Sequence, residues 1–137
     1  MALDPQFTTV ANVDGSSLTT STANSYDGAS GTIGTCFTAG ASGAFLSYIK
    51  LKPLGTNSAA CVVRFFINNG GATTTATNNF PFGEVSLPAT TLSTSSQLIE
   101  LVLPFNIALE PGYKIIWLLS AAPTSAGWAA TAIGGDY

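Results

Sequence analysis

At 137 residues with 46% hydrophobic content, the chain has material for one domain around one core. It carries four Lys/Arg, seven Asp/Glu and no histidine, so 8% of it is charged, where soluble domains carry about 25%. That composition excludes histidine-based acid–base catalysis and the usual Ser-His-Asp triad. A net charge of -3 and pI near 4.4, with the cations split among Lys50/Lys52, Arg64 and Lys114, argue against binding to a phosphate backbone.

From Met1 to Gly31 the chain is Thr, Ser, Asn, Ala and Gly, punctuated by single apolar residues: Leu3, Phe7, Val10, Val13, Leu18 and Tyr26. Such a segment cannot bury enough apolar surface alone to offset its ordering entropy. It reads as an extended N-terminal arm (1–31) held by a neighbouring subunit or folded back on its own sandwich. Leu3, Phe7, Val10 and Val13 are its expected anchors. Met1 to Gln6 lacks the basic start and apolar stretch of a signal peptide, which predicts a protein made and used without secretion.

After Gly31 short β-branched and aromatic runs alternate with turn residues, a strand signature. Strands are predicted over Thr32–Thr38, Phe45–Leu51, Cys61–Asn68, Gly83–Leu87, Gln97–Leu103, Tyr113–Ser120 and Trp128–Ile133, with no helix of useful length. Turns are marked by Gly40 to Gly43, Gly55 to Ser58, Asn68 to Gly71 and Pro111-Gly112. This pattern predicts an all-β fold, an antiparallel two-sheet β-sandwich over 32–137, jelly-roll-like in preference to immunoglobulin-like.

Ile49 and Leu51 oppose Lys50 and Lys52, as a half-buried strand requires. In Cys61–Asn68, by contrast, Cys61, Val63, Phe65 and Ile67 oppose Val62, Arg64 and Phe66, so both faces are largely apolar. Tyr113–Ser120 has the same character. A second apolar face needs its own cover, from another subunit, from the arm or from the Ala72–Asn79 loop.

Cys36 and Cys61 each lie in an apolar run and read as buried free thiols, a disulfide between them being the alternative. With no histidine and no third cysteine, no structural zinc site is expected, and no cofactor. Glu84 and Glu100 are the one carboxylate pair to weigh for glycoside hydrolysis, and nothing around them marks more than strand-surface charge. Asp14-Gly15-Ser16 and Tyr26-Asp27-Gly28 lack the spaced ligands of a calcium loop and read as turns. The apolar run at Ile115 to Leu119 is far shorter than the ~18 residues of a membrane-spanning helix, so no membrane partner is expected.

Aromatic residues remain as candidates for recognition. Trp117 reads as core, and Trp128 as either a core plug or an interface anchor. Phe80-Pro81-Phe82 reads as an interface loop, because two aromatics around a proline are hard to bury in one regular strand.

The C-terminal stretch carries a recognisable pattern. Leu109-Glu110-Pro111-Gly112-Tyr113-Lys114-Ile115 is followed by Gly127-Trp128 and then by Ile133-Gly134-Gly135-Asp136-Tyr137. It resembles a recurrent ending of small structural proteins of tailed bacteriophages. The resemblance implies a capsid decoration (cement) protein or a tail or fibre component, a β-sandwich assembling as a trimer. For a decoration protein it implies the major capsid protein as partner and the capsid surface as location, after assembly in the host cytoplasm. The expected function is therefore structural, not enzymatic, with Phe80, Phe82 and Trp128 joining the arm residues at interfaces; the rival is a tail or fibre module that binds glycan through exposed aromatics.

Overall fold

Strand formation follows the alternation of large apolar residues with small polar ones, and the computed structural model describes residues 7–19 and 26–137. Among these described residues eight strands form: β1 Val10–Leu18, β2 Gly34–Thr38, β3 Ala44–Pro53, β4 Cys61–Asn68, β5 Asn79–Leu87, β6 Leu101–Leu109, β7 Lys114–Leu119 and β8 Trp128–Asp136. The first sheet has the order β1-β8-β3-β6 and the second β2-β7-β4-β5. Every pairing is antiparallel, and β1 pairs with β8, β2 with β7, β3 with β6 and β4 with β5. The chain is thus one long hairpin rolled into two facing sheets, which is a jelly roll. No helix among the described residues is long and apolar enough to cross a membrane.

The expected strands recur with shifted ends. β4 has its predicted bounds, while β8 runs on to Asp136. The stretch predicted from Gln97 joins the ladder only at Leu101 and continues to Leu109, past Pro104 and past Asn106 at φ +51°. β6 keeps its alternation through this stretch, and the β3/β6 pairing carries a bulge beside it, between Leu46 and Tyr48. β1 lies inside the segment the sequence reads as an arm. All nine of its residues pair with β8, so the folding-back alternative describes Val10–Leu18.

Between the sheets lies the main core, built from residues such as Leu18, Phe37, Leu46, Ile49, Phe65, Ile115 and Trp128. Trp117 belongs to it, and its indole N–H donates to Ser16 Oγ at 2.8 Å, tying β7 to β1. Cys36 and Cys61 are buried and free. Burial pushes both thiols up, most strongly Cys36, where the charge of Asp14 adds to the effect. In native protein Cys36 is expected to resist a thiol reagent such as Ellman's and Cys61 to react slowly, with both reacting at once in denaturant. Prompt labelling of Cys36 in folded protein would contradict this packing.

The doubly apolar character of β4 and β7 is real. Phe66, Ile116 and Leu118 form a second cluster on the outer face of the second sheet, with Ile33 packed against it. The chain itself supplies the cover. Gly28 sits so close to the Phe66 ring that an added Cβ would come within 2.8 Å of it. The buried amide of Asn79 donates to Gly28 O at 3.0 Å and to Thr73 O at 2.7 Å, fastening this covering segment to β5. Of the three covers the sequence left open, residues of the arm region fill this place, as the contact at Gly28 shows.

The C-terminal pattern has local structural reasons. Pro111-Gly112 makes the turn between β6 and β7, closed by Tyr113 N–H donating to Glu110 O at 3.1 Å. Gly127 is held by fully buried Asn57, whose Oδ1 accepts from Gly127 N–H at 2.7 Å and whose Nδ2 donates to Gly127 O at 3.1 Å. Gly134 lets β8 pass β3, because a Cβ there would lie 2.4 Å from Phe45 O. Asp136 Oδ1 accepts from Asn12 Nδ2 at 2.8 Å and from Gly40 N–H at 3.2 Å, so this terminal charge secures β1 and the β2–β3 loop within its own chain.

Candidate interaction surface

Like the second sheet, the first has an outer face on which register places apolar residues in rows. Leu18, Leu46, Ile49, Ala130 and Ala132 point into the core, so by alternation their neighbours point out. Val13 pairs with Ile133, Ile133 with Tyr48, and Tyr48 with Pro104, an apolar row crossing all four strands. The row beside it is Ala11, Gly135, Phe45 and Ala108. Val13 is 62% exposed, and Val102 next to Lys50 is similarly open.

Charge marks one end of this face. Glu100 accepts from Lys50 Nζ at 2.9 Å and Lys52 Nζ at 3.1 Å, and these contacts, Lys50 first, hold its carboxyl below its ordinary value. All three side chains are exposed, so the cluster contributes little stability. Its effect is to bound the apolar area. With strands ~4.8 Å apart and same-face residues ~6.8 Å apart, that area is roughly 14 Å by 14 Å, about 200 Å². Burying it would supply about 5 kcal/mol at 25 cal/mol per Å², before association costs of comparable size. One such contact is marginal, and repetition makes it effective.

The residues expected at interfaces fall in separate places. Leu3 lies outside the described residues. Phe7 is exposed beside Thr9, Ser42 and Tyr137. Val10 and Val13 are both exposed, but on a strand they face opposite ways and cannot anchor to one surface. Phe80 and Phe82 lie in strand β5, not in a loop; β5 is an edge strand, where proline is tolerated, and Phe82 is the extra residue of a bulge. Phe80 is 52% exposed. Phe82 stacks on Phe105 with ring centroids 4.2 Å apart, and Phe105 meets Phe65 edge-on at 6.2 Å, so Phe82 partly closes the open side of the sandwich.

Trp128 is a correction. It is 0% exposed and fills the core, so it presents nothing to a partner. Missed instead were Phe45, Tyr48, Ile133 and Pro104. The signal for Tyr48 was available, since it lies on the Lys50 side of β3, but the bulge between Leu46 and Tyr48 hides its alignment with Phe45.

Glu84 and Glu100 do not form a pair. Glu84 accepts from Arg64 Nε at 2.5 Å on the outer face of the second sheet, while Glu100 meets its lysines on the outer face of the first. Two packed sheets, ~10 Å apart, stand between them. Among the described residues no group of three or more His, Cys, Asp or Glu is placed to hold a metal ion.

No protein-family model and no curated protein matches the chain. Two chains from solved virus structures are similar. One, from the crystal structure of the T13 IBDV viral particle, has 14% identity and a TM-score of 0.39, over 98% of this chain and 34% of that one. The other, from the infectious bursal disease virus Gt strain, has 15% identity and a TM-score of 0.37, over 98% and 35%. This chain therefore spans about a third of the length of each.

Proposed function

We propose that the chain is a virion structural protein of decoration (cement) type, which lies on the capsid surface and bridges neighbouring major capsid subunits. It works by burying apolar surface, not by catalysis, and needs no cofactor, nucleic acid or membrane. It assembles in the host cytoplasm, as a homotrimer. The observation that carries this reading is the Val13–Ile133–Tyr48–Pro104 row, an apolar band on the outer face of the first sheet. A charge-poor surface supports it, because uncharged Ser, Thr and Asn cost less to desolvate than ions when many copies pack closely.

Quantitative mass spectrometry of purified virions tests the assignment. A decoration protein is expected in hundreds of copies per particle; a handful of copies would move it to the tail. Exposed Tyr26 and Phe80 favour the second reading, a tail or fibre module stacking on sugar, and selective signal on a glycan array would support that one.

A further inference from the structure

Arg64 is the one cation with a buried side chain, only 8% exposed, and most of its surroundings are apolar. Its Nε donates to Glu84 Oε1, and the Tyr26 ring lies over the guanidinium with Cζ 4.0 Å from the ring centroid. Nη1, however, is buried with no acceptor. An arginine side chain carries donors and no acceptor, so nothing within it can satisfy this N–H. A buried donor left without an acceptor is destabilising, so a partner that supplies one is favoured.

The same side chain lines a cavity of about 340 Å³, together with Tyr26, Phe66, Pro81, Phe82 and Glu84. A bulge opens this recess: Phe65 pairs with Gly83 and Phe66 with Pro81, which leaves Phe82 unpaired. Pro81 has no N–H to offer, and among the side chains lining the recess Arg64 is the one with a buried donor left unused. Because Glu84 already neutralises Arg64, a second carboxylate would meet like charge, whereas a neutral carbonyl would not.

We infer that this recess receives an apolar side chain from a partner protein segment whose backbone carbonyl accepts a hydrogen bond from Arg64 Nη1. A peptide carries both groups on one residue. β5 is the free edge of its sheet, so an extended segment running beside it reaches the recess. That the occupant is a protein rests on the assembly reading; the need for a neutral acceptor does not. Tyr26 forms one wall of the recess and shields the guanidinium face from water.

The test is an NMR titration of the full chain with N-acetyl-phenylalanine amide. Saturable shifts are expected at the Arg64 Nε–H and at the Gly83 and Phe82 amides, with a Kd on the order of 1 mM, as ~0.3 kcal/mol per heavy atom gives for a ligand of this size. N-acetyl-glycine amide, lacking the side chain, and N-acetyl-phenylalanine, carrying the carboxylate, should each bind several-fold more weakly. Phe82→Ala and Tyr26→Ala alter exposed residues, should keep a native spectrum, and should weaken binding several-fold. No saturable shift at Arg64, undiminished binding by both variants, or tighter binding of the carboxylate would overturn the inference. Failure here with hundreds of copies per virion removes only this recess; binding here with few copies removes only the decoration reading.

Discussion

Trp128→Ala is expected to lower stability by about 3–5 kcal/mol in chemical denaturation, the cost of emptying a large aromatic site in a core. Trp128 opens β8, where it pairs with Leu18 of β1 on one side and Pro53 of β3 on the other. It is among the largest fully buried side chains. A domain with about 5–15 kcal/mol of total stability would lose roughly a fifth or more of it. Trp128→Phe should cost less, because it keeps much of the volume and removes an indole N–H that is buried without an acceptor. Phe80→Ala, at an exposed position, is the internal comparison and should stay within about 0.5 kcal/mol. A loss below about 1 kcal/mol for Trp128→Ala would contradict the core assignment.

The second large effect is on assembly. Placing glutamate at Val13 and at Tyr48 puts two charges in the apolar row of the first sheet while leaving the core residues untouched. If that row is buried against the shell, each unpaired charge costs several kcal/mol, and the double variant should bind at least ~100-fold more weakly. Its melting temperature should move far less than that of Trp128→Ala, since Val13 is mostly exposed and Tyr48, though partly buried, lies outside the core. Truncating residues 1–31 is a poorer probe of assembly, because it removes β1 and with it an edge of the first sheet.

The fold was legible where β-branched and aromatic residues ran together between turn residues. Cys61–Asn68 is such a run and has its predicted bounds, and the two-faced apolar character of β4 and β7 announced a second buried cluster. β1 was not legible. Its sequence, Val-Ala-Asn-Val-Asp-Gly-Ser-Ser-Leu, is mostly polar, and only Leu18 is buried; its place comes from pairing with β8 and from bonds such as Trp117 Nε1–H to Ser16. Those are long-range contacts that no local pattern encodes. Phe80 and Phe82 read as an interface loop, yet they lie in a strand because an edge tolerates Pro81.

The candidate surface was harder to read than the fold. Its row draws one residue from each of four strands distant in sequence, and a bulge shifts the parity of β3 between Leu46 and Ile49. Trp128 misled for the opposite reason: a large aromatic beside glycine in a strand of alanines suits an anchor and a core plug equally well. Only the opposing sheet decides between them.

The central claim is that the outer face of the first sheet docks on the capsid. Cosedimentation of purified protein with capsid shells lacking it tests this most directly, comparing the native chain with the Val13→Glu, Tyr48→Glu double variant. Saturable binding of the native chain, with at least ~100-fold loss in a variant that melts normally, is the predicted result. Equal binding by the two would contradict it.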